Sequence, residues 1–210
     1  YDLNPNTGAI ATTADWEAGQ NLTTRNLTNS PRAIITSNGT DGTAFTWANL
    51  TAAQKNDLRT NPAGGTDSDT IAQARLNYIR GDRGNEGSGY QFRTRSGRLG
   101  DIVHSNPVYS GVPQMKWPDV APFPTGSSKY STWADSSIKN RTPMLYVGAN
   151  DGMLHAFRAN DGHESFAYIP SNLFSNSTAD GLHYLSSPNY IHRYYVDASP
   201  EISDADYDAL

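Results

Sequence analysis

Two Asp-Gly pairs, ten residues apart, most constrain how this 210-residue chain can fold. Asp151-Gly152 and Asp161-Gly162 each separate short apolar runs, and Asp-Gly is a preferred pair at the corner of a tight β-hairpin. The pattern therefore predicts an antiparallel meander of three strands. The strands are expected at residues 144–148, 153–158 and 163–169.

A second pattern occurs once on either side of this meander. Val103 and Pro107 have the same spacing as Val196 and Pro200, and the two copies are displaced by 93 residues. Once two weakly patterned insertions are set aside, roughly 44 residues separate the copies, which falls within the ~40–50 residues of one β-propeller blade. We therefore predict that the copies are the first strands of successive blades, with chance recurrence as the alternative.

These patterns predict a mainly β protein, a partial β-propeller with a small helical segment before the first blade. We divide it into a lead-in region, residues 1–98, with a short hairpin and two helices, and residues 99–210, with the first blade and the start of a second. A propeller needs about four or more blades, which bury their faces against neighbours. We therefore expect an incomplete chain. Its meander should either pack against parts of the protein outside this sequence or keep an exposed apolar face.

The lead-in region carries local signals of its own. Asn-Gly and Asp-Gly pairs near residue 40 predict a hairpin. Thr51 and Gln54 have the spacing of a capping box, which predicts the start of a helix. Apolar residues at helical spacing predict a second helix, capped by Asp67 or Asp69 and ended by Gly81.

Composition favours a loop-rich β protein and excludes several functions. Asn, Ser and Thr, which favour turns, supply 57 residues, and hydrophobic types supply 36%. The net charge of -5 gives no electrostatic reason to expect nucleic acid or an anionic membrane as a partner. The absence of cysteine excludes disulfides, Cys-ligated zinc and a thiol nucleophile. No apolar run approaches the ~18 residues that span a bilayer.

The tripeptide Arg80, Gly81 and Asp82 is the candidate partner-binding site. As a functional motif it would act as an integrin-type ligand, presenting Arg80 and Asp82 to a partner's carboxylate and metal. As a structural motif, Arg80 would favour a helix C-terminus and Gly81 would cap the helix. Six arginines lie between Arg75 and Arg98, a basic patch that either holds an acidic partner or phosphate, or braces loops.

Several long motifs resemble one family, in that family's order. They are Leu-Gly-Asp-Ile-Val-His-Ser-Asn-Pro-Val-Tyr at 99–109, residues 146–157, 166–171 and 190–197, Ser199-Pro200, and the preceding residues 79–83, Asn85-Glu86 and Phe92-Arg93. They are similar to the C-terminal β-propeller region of the PilY-type proteins of type IV pili. The resemblance implies a non-catalytic Gram-negative surface protein at the pilus tip. It would assist pilus assembly with minor pilins and act as an adhesin toward a host-cell or surface receptor.

The same family is associated with calcium, which an Asp-rich loop in a later blade binds. Asp204, Asp206 and Asp208 alternate like the opening of an EF-hand loop, but the glycine at the sixth position and the closing glutamate are missing. We interpret these residues as surface acids in a strand-to-turn segment. We assign no metal or cofactor to this chain and expect calcium only in the downstream blade.

Two other functions stay open. A quinoprotein dehydrogenase has blades of the same strand and Asp-Gly order, and the blades predicted here are quinoprotein-like. Such blades commonly carry a late tryptophan, where this chain has Phe166-Ala167-Tyr168. A propeller scaffold of an outer-membrane assembly machine is the other alternative. We assign no catalytic residue, because the histidines lack zinc-site spacing, and we expect His155 to be a hydrogen-bonded structural residue.

Overall fold

The computed structural model describes residues 4–204. Its strands are β1 (Ile34–Ser37), β2 (Gly42–Ala44), β3 (Val108–Ser110), β4 (Met144–Ala149), β5 (Met153–Arg158) and β6 (Glu164–Ile169). They form one mixed sheet in the order β2-β1-β6-β5-β4-β3. The α-helices are α1 (Ala18–Thr24), α2 (Ala52–Arg59), α3 (Asp69–Ile79) and α4 (Tyr130–Ala134).

The meander predicted from the Asp-Gly pairs is confirmed. Strand β5 pairs antiparallel with β4 on one side and with β6 on the other. Gly152 has φ +90° at the first corner, a left-handed conformation that glycine adopts without strain. A register shift between Ala156 and Phe157 brings Phe157 opposite Glu164. Glu164 is therefore buried on the same face as Phe157, while Ser165 is exposed.

The prediction that the two Val/Pro copies are the first strands of blades is only partly confirmed. The first copy, residues 103–109, ends in β3, the strand that precedes β4 and pairs with it. The first copy enters the sheet only at Val108, and within the described residues the second copy forms no strand. The copies lie side by side instead. The Asp197 carboxylate accepts from the His104 amide at 3.1 Å, and the Ser199 hydroxyl accepts from the Asn106 amide at 2.9 Å. These two backbone amides donate to side chains, so they are satisfied without hydrogen bonds to the backbone of a neighbouring strand.

The two predicted lead-in helices are present, and one of them is capped differently. Thr51 and Gln54 form the predicted capping box of α2. Helix α3 is capped by Ser68, whose hydroxyl accepts from a first-turn amide at 3.4 Å. The prediction of Asp67 or Asp69 as the cap is wrong, because both carboxylates bind arginines instead. Within residues 4–204, no helix is long and apolar enough to cross a membrane.

The two faces of the sheet are covered differently. The inner face shares one buried cluster with the lead-in helices, and its members include Ile34, Met153, Ala167 and Ile169 from the sheet and Leu58, Ala72, Leu76 and Ile79 from α2 and α3. The outer face carries Ile35, Tyr146, Leu154, Phe166 and Tyr168. Of these, Ile35 is exposed and the others are half-buried. The outer face is thus the partly exposed apolar face expected from the sequence.

Strand β1 joins the lead-in region to the meander. It pairs parallel with β6, so residues on both sides of position 98 share one sheet and one core. Parallel pairing of strands this far apart in sequence depends on tertiary contacts rather than on a local turn. The division into residues 1–98 and 99–210 stays a prediction.

Candidate partner-binding site

The Arg-Gly-Asp tripeptide forms the C-terminal end of α3. Arg80 is the C-cap, and Gly81 follows with φ +111°. The Gly81 amide donates to the Tyr78 carbonyl at 2.9 Å, and the Asp82 amide donates to the Asn77 carbonyl at 2.8 Å. These two bonds make a Schellman motif, which satisfies carbonyls at the helix end. The geometry therefore agrees with the structural interpretation of the tripeptide.

The charged side chains of Arg80 and Asp82 have different surroundings. The Arg80 guanidinium donates to the Phe45 carbonyl at 2.8 Å and to the Arg32 carbonyl at 3.0 Å. Burial, and then the charge of Arg32, lower the pKa of Arg80. Asp82 is exposed, and its carboxylate accepts from the Gly84 amide at 2.7 Å. Asp82 is thus the more exposed of the two charged residues, since Arg80 is half-buried and bound to carbonyls, and partner binding through Arg80, Gly81 and Asp82 stays a prediction.

Other arginines of the basic patch brace the loop that follows α3. The Arg95 guanidinium lies 2.7 Å from the Glu86 carboxylate. Arg98 links this loop to α1 through backbone carbonyls, those of Leu22, Thr23, Arg25 and Gly81 at 2.7–2.9 Å. Arginine suits this role because its planar guanidinium presents five donors. These contacts agree with the bracing interpretation of the patch.

A buried network of charges lies beneath the two Asp-Gly hairpins. His155 is fully buried, with Nδ1 2.8 Å from Glu164 Oε1 and Nε2 3.1 Å from Asp151 Oδ1. Arg32 binds both carboxylate oxygens of Glu164 at 2.7 Å. The expectation that His155 is a hydrogen-bonded structural residue is confirmed. The network ties β5 and β6 to the residues that precede β1.

The members of this network hold one another in their charged forms. Burial alone lowers the pKa of His155, but the charges and hydrogen bonds of Asp151 and Glu164 outweigh it and raise that pKa to about 9. Burial alone raises the pKa of Glu164, but hydrogen bonds and charges from His155 and Arg32 lower it to about 2. An imidazolium is therefore enclosed by ionised carboxylates at neutral pH.

Asp204 organises the insertion between β3 and β4. Its carboxylate accepts from the Gln114 amide at 3.1 Å and from the Tyr130 hydroxyl at 2.9 Å, and it pairs with Arg141 at 3.2 Å. Burial and the Asp204 contact raise the pKa of Tyr130 to about 12. The side chain of Asp204 is only 6% exposed, so the interpretation of this residue as a surface acid is wrong.

The described residues do not fit a calcium site. The Asp204 carboxylate is already shared among protein donors, whereas calcium takes six to eight oxygen ligands. Asp206 and Asp208 lie outside the described residues. Across positions 4–204, no group of three or more His, Asp or Glu side chains could hold a metal ion. Calcium in a downstream blade stays a prediction.

Known proteins resemble the chain over almost its whole length. The PilY1 β-propeller domain model matches residues 99–209. The type IV pilus biogenesis factor PilY1 of Pseudomonas aeruginosa, in strains PAK and PAO1, is 40% identical over 98% of this chain and 17% of that protein. A PilY1 homolog of Xylella fastidiosa strain Temecula1 is 43% identical over 76% of this chain and 12% of that protein. No solved structure matches the chain significantly.

These similarities confirm the resemblance drawn from the sequence motifs. The motifs at 99–109 and 146–157 both lie inside the residues that match the propeller model. The chain spans about one sixth of the length of the Pseudomonas relatives, given the 17% of each that it covers. The model match covers more than half of the 210 residues. The chain therefore belongs to the PilY1 β-propeller family.

Proposed function

We propose that this chain is part of a type IV pilus biogenesis factor that also acts as an adhesin at the pilus tip. The observation that carries the proposal is 40% identity, over 98% of the chain, to proteins named type IV pilus biogenesis factor PilY1. The protein would work through contacts with other molecules rather than catalysis. Its location would be the cell surface, at the pilus tip or on the outer membrane.

The proposed partners are minor pilins, a host-cell or surface receptor, and further blades of the same protein. Two apolar surfaces support an interaction role. One is the half-buried outer face of the sheet. The other is a group of exposed side chains near β3, namely Ile102, Val103, Tyr109 and Val112. Apolar surface that stays exposed is typical of sites where another protein docks.

Deletion and complementation test the biogenesis role. In the source organism, removal of the gene should abolish or sharply reduce pili counted by electron microscopy, and the intact gene should restore them. Co-purification of minor pilins with the full-length protein would support the proposed partners. Normal pilus numbers in the deletion strain would contradict the proposal. Robust dye-linked alcohol oxidation by the full-length protein would contradict the non-catalytic part and favour a quinoprotein dehydrogenase.

The adhesin role needs a separate measurement, because cells without pili also lose adhesion. Adherence to epithelial cells should be compared between strains with equal pilus counts. Asp82→Asn in the full-length protein removes the negative charge of the Arg-Gly-Asp tripeptide while leaving an oxygen to accept from the Gly84 amide. If the tripeptide is an integrin-type ligand, this variant should lose adherence per pilus. Unchanged adherence would leave Arg80, Gly81 and Asp82 with a structural role.

A further inference from the structure

A cavity of about 430 Å³ opens between the loop after α1 and the end of α3. Among the described residues, its lining contains one carboxylate, that of Asp82, and five arginines. The arginines are Arg25, Arg32, Arg80, Arg83 and Arg98. The chain as a whole has a net charge of -5. The cavity is therefore a concentrated positive region on an acidic molecule.

Three of these arginines have carboxylate partners. Arg32 binds Glu164 through two bonds of 2.7 Å, and Arg83 lies 3.0 Å from Glu86. Arg25 lies 3.8 Å from Glu164, a carboxylate that Arg32 already binds bidentately. Two glutamate carboxylates thus pair with three guanidinium groups, so the positive charge of these arginines is only partly balanced.

The other two arginines form no ion pair within the described structure. Arg80 and Arg98 donate to backbone carbonyls, which satisfy N–H groups without neutralising the positive charge. Burial lowers the pKa of both guanidinium groups, and the charge of Arg32 lowers them further, while the charge of Asp82 partly offsets the decrease at Arg98. Both shifts have the direction expected when cations are crowded together with little counter-charge. The lining therefore carries surplus positive charge.

The cavity also retains hydrogen-bond donors. Within residues 4–204, Arg83 Nη1 and Arg98 Nη2 donate to no protein acceptor. Both arginines are half-buried and line the cavity. Asn77 and Thr28, both exposed, add neutral polar groups to the lining.

We propose that this cavity binds a tetrahedral oxyanion, a phosphate or sulfate group that is either free or carried by a sugar. Arg83 Nη1 and Arg98 Nη2 can each donate to an oxygen of such an anion, and charge-assisted hydrogen bonds are the stronger kind. A dianion balances the surplus charge of Arg80 and Arg98. The end of α3 would thereby offer cations to an anion, which is the reverse of offering the Asp82 carboxylate to a partner's metal.

Two substitutions that change the charge of the cavity in opposite directions test the proposal in the full-length protein. Asn26 lines the cavity, and its Oδ1 accepts from two backbone amides, which an aspartate does equally well. Asn26→Asp therefore adds a negative charge, and Asp82→Asn removes one, without deleting a brace. By calorimetric titration, phosphate and sulfate should bind saturably, about three- to fivefold more weakly to Asn26→Asp and more tightly to Asp82→Asn. Raising the sodium chloride concentration should weaken both ligands.

A matched control separates a local effect from net charge. Asn176 is exposed and does not line this cavity, so Asn176→Asp should leave the affinity unchanged. Glucose 6-phosphate against inorganic phosphate distinguishes the two sources, since tighter binding of the sugar phosphate supports a sugar-borne group and equal or weaker binding supports a free anion. The absence of saturable binding, or equal affinities for Asn26→Asp and Asn176→Asp, would overturn the proposal. Thermal unfolding checks that each variant is folded, and Asp82→Asn remains a test if Asn26→Asp is not.

Discussion

The inner and outer faces of the sheet are built from alternate residues of the same strands, yet they are covered very differently. Ile34 is 2% exposed and its neighbour Ile35 is 40% exposed. The lead-in helices cover the inner face, whereas on the outer face the backbone near Val196 approaches Gly148. Apolar residues on both faces are typical of a sheet with material packed on both sides. The described residues therefore cover the inner face of the sheet and only part of the outer face.

The largest loss of stability is expected where charge is buried on the inner face. Glu164→Gln leaves Arg32 and His155 buried without their shared carboxylate, which should lower the free energy of unfolding by about 3–5 kcal/mol. Urea denaturation of the purified protein measures this change. Glu201→Gln is the control, because Glu201 is exposed and should change stability very little. Equal effects of the two substitutions would mean that the network does not stabilise the inner face.

Truncation of a hydrophobic side chain on the inner face should lower the stability somewhat less than Glu164→Gln does. Ile34→Ala removes a side chain from the cluster that contains Leu58 and Leu76, and the cavity left behind should lower the free energy of unfolding by about 3 kcal/mol. The measurement is the urea midpoint, converted with the slope of the parent protein. A loss below about 1 kcal/mol would contradict the tight packing of this face.

The pH dependence of stability should come next in size. The pKa of His155 is raised from 6.5 to about 9, so its stabilisation is complete below pH 6.5 and is lost as pH rises through 9. The pKa of Glu164 is lowered from 4.5 to about 2, so its stabilisation is present above pH 4.5 and is lost as pH falls toward 2. Between pH 6 and 8.5 the free energy of unfolding should fall by about 2 kcal/mol.

Urea midpoints measured across this pH range test the expected slope. His155→Gln removes the titrating group, so that variant should lose most of the alkaline decrease while being less stable throughout. An unchanged slope in His155→Gln would assign the decrease to other groups.

The parts of the fold that were predictable from the sequence are those specified by neighbouring residues. The Asp-Gly corners at Gly152 and Gly162 fix two hairpins, and Thr51 with Gln54 fixes the start of α2. The parallel pairing of β1 with β6 was not predictable, because no local turn joins those strands. The 93-residue displacement of the Val/Pro copies identified a true contact, since the His104 amide donates to Asp197 at that displacement. It did not predict that the contact is a side-chain hydrogen bond.

The candidate site divides in the same way. The helix end at Gly81 follows from local chemistry, because a glycine after an apolar helical stretch is a common C-cap. The inward contacts of Arg80 with Phe45 and Arg32 cross 35 and 48 residues of sequence. A pattern read along the chain carries no signal for such contacts. The arginine spacing therefore left bracing and binding open until the carbonyl partners were known.

The smallest loss of stability is expected from a substitution on the outer face. This substitution also tests directly whether the two faces are covered differently. Ile35→Ala should lower the free energy of unfolding by less than about 1 kcal/mol if the described residues are all that covers this side chain, since it is already 40% exposed. If further blades pack on the outer face, the same substitution in the full-length protein should cost about 2–3 kcal/mol, close to the loss expected for Ile34→Ala. Protease resistance and urea denaturation of full-length Ile34→Ala and Ile35→Ala, measured in parallel, give the difference between their losses of stability. A small loss for Ile35→Ala there would show that the outer face stays open to solvent and would leave it free for a pilus or receptor partner.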